Sequence, residues 1–196
     1  MFCFEAGPEP GVLQLIRERT EALGFDACSD ARTGHLLRFC AALRPGGQIL
    51  EIGTGTGMGA AWLLAGMDGA ARLLSVDNDW TAQAVARDVF RDEPRAAFEL
   101  MDGGDFIATA AAANYDLIFA DSWPGKFTHL DETLDLLKPG GLYLIDDLAP
   151  QPNWPDGHQP KVDALIAALE ADARVSTVRL DWSTGLMLAT RTGASS

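Results

Sequence analysis

The run Glu51-Ile52-Gly53-Thr54-Gly55-Thr56-Gly57 closes an apolar segment and opens one of helical pattern, and its alternating glycines have the spacing of a ligand-binding turn. In an open α/β sheet, ligands bind at the carboxyl ends of the strands, where glycine lets them approach the backbone. A nucleoside triphosphate loop needs Lys directly after its last Gly. Met58, Gly59 and Ala60 supply none, so a P-loop is discarded. Gly55 to Ala60 fits the loose form G-x-G-x-x-A, with Asp77 a further acidic residue at a strand end, so an NAD(P)-dependent oxidoreductase stays as an alternative. Glu51 argues against it, because a carboxylate at the strand tip repels pyrophosphate and suits a cationic or amine-bearing ligand.

Other residues could join this turn. Asp77, followed by Asn78, ends the next apolar run, and its two oxygens can accept two hydroxyl donors at once, the geometry that selects ribose. His129 and His158 are candidate general bases, histidine being the side chain type whose charge changes nearest neutrality. His158 lies in a Pro-rich loop with Trp154, expected to overhang an acceptor pocket, and Trp123 and Trp154 could wall a planar substrate. Trp182 and His35 read as structural.

These residues need a scaffold. Short apolar, β-rich runs occur at Gln48–Ile52, Arg72–Val76, Ala97–Leu100, Tyr115–Ala120 and Leu142–Ile145, with helical segments between them at 57–65, 81–91, 105–113 and 130–137. The Ala-rich stretch near 108–113 is read as helix. Two helices, 11–23 and 34–43, precede the first strand, and one more, marked by Val162, Leu165, Ile166 and Leu169, follows the loop 150–160. Alternating strand and helix predicts an open, mostly parallel sheet with helices on both faces and right-handed crossovers. The last two strands, Val175–Leu180 and Leu186–Thr190, are joined by a link too short for a crossover helix, so they form an antiparallel pair. The fold class is therefore α/β, Rossmann-like and seven-stranded. The chain reads as a single domain, 1–196, with N-terminal helices over 1–46 and a cofactor-binding sheet with substrate loops over 47–196.

Composition narrows the partners. A formal net charge of −13 has the wrong sign for gripping a phosphate backbone, so nucleic acid is not expected as a partner. No apolar stretch is long enough to span a membrane and no signal peptide is legible, so the expectation is a cytoplasmic protein with no membrane partner. Cys3, Cys28 and Cys40 lack CxxC spacing and read as reduced, ordinary residues. Phe2 and Phe4 hint at a homodimer contact or a lid.

From Gly34 onward the chain resembles the class I S-adenosylmethionine-dependent O-methyltransferases, most closely the small bacterial relatives of catechol and caffeoyl-CoA O-methyltransferase. Carrying that resemblance, in order, are Thr33-Gly34-His35-Leu36-Leu37, Ile49 to Gly57, Leu74-Ser75-Val76-Asp77, Tyr115 to Asp121, Leu137-Lys138-Pro139-Gly140-Gly141-Leu142 and Ile145-Asp146-Asp147. It implies S-adenosylmethionine as cofactor, with Gly53, Thr54, Gly55 and Gly57 around its methionine part, Glu51 reaching toward it, Asp77 and Asn78 at the ribose, and Asp102 and Gly103 at the adenine. Asp102 also reads as a helix cap. Asp121 falls between cofactor and acceptor. The acceptor implied is a small molecule bearing a hydroxyl, catechol-like or phenolic, and a cofactor-binding protein without catalysis is the non-enzymatic alternative.

The same resemblance places Mg²⁺ or another divalent cation on Asp121, Asp146 and Asp147, oxygen ligands that such ions prefer. Asp147 stands where the family has Asn, and neighbouring residues of a strand point to opposite faces, so Asp146 and Asp147 can converge only if the strand ends there. The family's catalytic Lys corresponds to Lys126, five residues after Asp121 instead of three; Pro124 and Gly125 make a turn that could return it to the site as general base, beside Asp121.

Overall fold

The computed structural model describes residues 7–25, 30–151 and 154–193. Cys3, Cys28, Phe2 and Phe4, named above, lie outside the described residues.

Seven strands form one sheet: β1 (Gln48–Ile52), β2 (Arg72–Asp77), β3 (Ala96–Leu100), β4 (Tyr115–Ala120), β5 (Leu137–Ile145), β6 (Val175–Leu180) and β7 (Leu186–Arg191). Their order is β3-β2-β1-β4-β5-β7-β6. β1 pairs in parallel with both β2 and β4, so strand order reverses at β1 and a crevice opens beyond its carboxyl end. β7 runs antiparallel to both β5 and β6, which sets the link between the last two strands beside the end of β5, with Ile145 opposite Met187.

Side chains alternate across the strands and build two cores. Ile49, Leu73, Leu117, Phe119 and Leu144 face α1 (Leu13–Leu23), α2 (Ala31–Ala42) and α3 (Met58–Gly66). Leu50, Ile52, Ile118, Tyr143 and Ile145 face α5 (Gly103–Thr109), α6 (Leu130–Leu136) and α7 (His158–Ala171). α4 (Trp80–Val89) buries Ala82, Val85 and Ala86. α3 is buried from Met58 through Leu64, being covered by the sheet on one side and by α2 on the other.

Local chemistry starts and stops these helices. The Asp30, Asp79 and Asp102 carboxylates accept amide hydrogens in the first turns of α2, α4 and α5, and Gly24 ends α1 in the left-handed conformation. The helix read over 105–113 is shorter in the structure. α5 starts at Gly103, under the Asp102 cap, and ends at Thr109, whose hydroxyl turns back on the Asp105 and Phe106 carbonyls. The alanine-rich stretch after it does not continue the helix: Ala113 has φ 51° and donates to the Asp135 carbonyl, bringing the chain into β4.

Candidate active site

The carboxyl ends of β1 to β5 open on a cavity of about 560 Å³. β1 brings Glu51 and the glycine turn, β2 brings Asp77 and Asn78, and the segment after β3 brings Asp102 and Gly103. Asp121 follows β4, and Asp146 and Asp147 follow β5; all of these residues line the cavity.

Glu51 is fully buried. One of its oxygens accepts from the Ser75 hydroxyl at 2.5 Å, and Ser75 in turn meets the Thr54 hydroxyl at 2.6 Å, with the Gln83 amide behind it at 3.1 Å. The other oxygen, Oε1, has no partner. Burial raises the pKa of this carboxyl to about 8, helped by the charges of Asp121 and Asp77 and opposed by the Ser75 hydrogen bond. A Cβ added to Gly59 would sit 2.2 Å from Oε1, so the helix opens with glycine where this carboxyl needs room.

The turn glycines divide their work. Gly53 and Gly55 line the cavity with φ of 103° and 50°. Gly57 has φ 98° but does not line it, and a Cβ there would fall 2.8 Å from Ala86 Cβ, so this glycine serves the packing of α3 on α4. Asp77 accepts the Gly55 amide at 2.7 Å on one oxygen and the Asp79 amide at 2.8 Å on the other, which holds the carboxylate across the turn and leaves further lone pairs for hydroxyl donors. Asn78 donates to Asp102 at 3.3 Å. Asp102 caps α5 while it lines the cavity, so both readings of it hold together.

At the opposite end, Trp123 to Thr128 form a tight loop: the Phe127 amide donates to the Trp123 carbonyl, and the Tyr143 hydroxyl donates to the Gly125 carbonyl at 2.7 Å. The loop folds Lys126 inward. The side chain is buried and Nζ donates to the Asp146 carbonyl oxygen at 3.2 Å. Lining the cavity with it are Trp123, Phe127, Trp154 and His158, whose imidazole centroid lies 5.8, 5.2 and 4.5 Å from those three rings in turn. His158 Nδ1 is buried without a partner, and desolvation, then Lys126 and Lys161, lower the imidazole pKa, leaving a neutral ring at pH 7. His129 is elsewhere. It is exposed, it does not line the cavity, and its carbonyl accepts from Thr133 at the start of α6.

The three carboxylates expected to share a cation do not form a metal-holding group; among the described residues there is no such cluster of His, Cys, Asp or Glu. β5 does end at Ile145, but the Asp146 carboxylate turns to the Thr184 hydroxyl and to the Asp147 amide, and Asp147 adopts φ 61°. Burial, then Asp147, raises the Asp146 pKa to about 6, with Thr184 opposing. The residues present do not fit the ion.

Several lining residues were missed in the sequence: Thr184, Phe127, Gly59 and Asp30. Thr184 had a readable signal, since the link between antiparallel β6 and β7 must come to the end of β5. Trp182, read as structural, is partly buried, packs against the core and donates to the Arg32 carbonyl at 3.0 Å. Cys40 is a buried free thiol whose pKa burial pushes up to about 11, an inert structural residue as read.

The family described as "Methyltransferase domain" matches residues 50–148, from β1 to the end of β5, half of the chain. The chain belongs to that family. Over 195 residues this methyltransferase is 30% identical to the "Putative O-methyltransferase" of Mycobacteroides abscessus, an alignment that covers 93% of this chain and 89% of the relative. In fold it is similar to a Corynebacterium glutamicum protein (TM-score 0.82, 22% identity, 97% of this chain and 94% of the other). It is also similar to the O-methyltransferase TomG of Streptomyces achromogenes, involved in tomaymycin synthesis and crystallised with S-adenosylmethionine (TM-score 0.79, 21% identity, 95% and 92%). The resemblance to class I S-adenosylmethionine-dependent O-methyltransferases is borne out, and the oxidoreductase alternative falls with it. No described helix of the methyltransferase is long and apolar enough to cross a membrane.

Proposed function

We propose that this methyltransferase moves the methyl group of S-adenosylmethionine to a hydroxyl oxygen of a small acceptor. One observation carries the cofactor assignment: the unpartnered, buried Glu51 Oε1 beside the glycine turn. A buried carboxyl lacking a partner stabilises a ligand that brings positive charge, and the methionine end of this cofactor carries an ammonium and a sulfonium. Glu51, Gly53, Thr54 and Gly55 receive that end, Asp77 and Asn78 the ribose, and Asp102 and Gly103 the adenine. TomG, crystallised with the same cofactor, supports the assignment.

Acceptor chemistry belongs to the other end of the cavity. Attack on the sulfonium methyl requires an oxygen stripped of its proton and held in line, with Asp121 bordering both ligands. His158, neutral and unpartnered at Nδ1, can take that proton. The cavity volume of about 560 Å³ falls in the range of small-molecule sites.

Calorimetric titration of S-adenosylhomocysteine tests the cofactor, and micromolar binding is the expected result; its absence sinks the assignment. Radiolabelled methyl transfer over a phenol panel then tests the enzyme. Lys126→Met and Asp121→Asn are expected to reduce turnover on the order of 100-fold. Unchanged turnover in both would leave a binding protein without the acceptor chemistry.

A further inference from the structure

We infer that the Lys126 ammonium stands in the position that the resembling enzymes give to a divalent cation, so that this chain holds a single aromatic hydroxyl oxygen instead of chelating a vicinal diol on a metal. The inference rests on the methyltransferase reading of the same cavity.

Three observations meet here. Asp121, Asp146 and Asp147 occupy the cation positions in sequence but do not gather as a metal-holding group. One oxygen of the Asp146 carboxylate, Oδ1, accepts from both Thr184 and the Asp147 amide, and the Asp146 carbonyl accepts from Lys126 Nζ at 3.2 Å. Lys126 is only 6% exposed, so its charge sits inside the cleft and repels any second cation brought to the same carbonyl.

An ammonium carries three N–H donors. Among the described residues the only acceptor for Lys126 is the Asp146 carbonyl, which leaves two donors for a ligand. Such a fixed charge stabilises an acceptor oxyanion as a bound ion would. Its geometry differs, because one N–H suffices to hold one oxygen, and an ammonium, unlike a chelated ion, does not require a vicinal pair. Trp123, Phe127, Trp154 and His158 line the same cavity, a set of flat faces suited to a hydroxyl carried on a flat ring. In the step, a bond forms between the acceptor oxygen and the methyl carbon as the carbon–sulfur bond breaks. The electron pair stays on sulfur, which becomes a neutral thioether, and the hydroxyl proton passes through His158 to water.

The test uses the full chain and begins with S-adenosylhomocysteine binding; failure there removes the cofactor reading and is seen before the cation is addressed. On protein saturated with that ligand, Mn²⁺ is titrated and followed by its paramagnetic resonance. Lys126→Ala, which deletes the ammonium and keeps every carboxylate, is expected to bind Mn²⁺ at least about threefold more tightly than the natural chain. Should it not fold, Lys126→Met, with its apolar stem retained, replaces it. A ratio below about threefold, or a Mn²⁺ site in the natural chain that Asp147→Asn abolishes, overturns the inference. With chelator present, 4-nitrophenol and 4-nitrocatechol are expected to bind within about threefold of each other, read from their absorbance. Catechol preference restored by Mg²⁺, or no binding of either ring, overturns it as well.

Discussion

Glu51 is ionisable, enclosed and satisfied at only one of its two oxygens. With a folded pKa near 8 against an ordinary 4.5, it keeps its proton in the folded state while the unfolded chain loses it. Its contribution to stability is therefore complete below about pH 4.5, declines by roughly 1.4 kcal/mol per pH unit above that, and is gone beyond pH 8. Glu51→Gln lacks this slope. It should be more stable than the natural chain by a few kcal/mol at pH 8 and no more stable near pH 4.5, read by denaturant unfolding at both values. The same substitution should cost cofactor affinity. Binding of the cationic methionine end ionises Glu51, so S-adenosylhomocysteine should bind more tightly as pH rises from 6 to 8, by up to about tenfold per unit, and Glu51→Gln should abolish that dependence. A pH-independent titration with the natural chain would remove Glu51 from the cofactor site. Gly57 makes the contrasting case. Gly57→Ala meets a positive φ and the Ala86 Cβ at 2.8 Å, so the loss expected is about 2 to 3 kcal/mol of stability in a chemical melt, from helix packing and not from ligand contact.

At the scale of elements, α2 approaches α3 so closely that a Cβ on Gly34 would lie 2.1 Å from the Trp62 indole nitrogen. Trp62 is completely buried and cannot give way. Gly34→Ala should cost about 1 to 3 kcal/mol by overpacking, and a stabilising result, the usual effect of alanine in a helix, would refute this packing. Most of the sheet was legible because its central strands are buried on both faces and read as apolar runs bounded by Gly, Pro and Asp; six of the seven strands match to within a residue or two. β5 begins earlier than its apolar core because Leu137 pairs with Tyr115 before the chain shifts register through Lys138-Pro139-Gly140-Gly141. Helix ends were less legible: helical propensity favoured continuation through 110–113, but the need to enter β4 overrode it. In the site, residues at strand ends could be placed from sequence, since topology alone brings Glu51, Asp77, Asp121 and Asp146 to one edge. Side-chain direction could not. Whether Asp146 turns to a cation or to Thr184, and whether Gly57 faces the ligand or Ala86, depends on contacts between segments far apart in the chain.

For the whole molecule, the two cores lie on opposite faces of the same sheet, and β1, β4 and β5 each contribute side chains to both. Loss of one face exposes strands on which the other depends, so we propose that the described residues form one folding unit. Calorimetry should accordingly show one unfolding transition, with calorimetric and van't Hoff enthalpies in agreement, and two resolved peaks would show the N-terminal helices unfolding separately from the sheet. The cavity joins that same cooperative unit, because the ends of five adjacent strands line it. A ligand held there binds the folded chain alone. At about 100 times its dissociation constant, S-adenosylhomocysteine should add roughly 2.7 kcal/mol and raise Tm by about 5 to 10 °C for a chain of this size. The whole transition should move without splitting, since no part of the sheet can unfold while the strand ends still hold the ligand. A shifted peak beside an unshifted one would mean that the strand ends and the helices of α1 and α2 are not coupled, and would place the boundary of cooperativity between them.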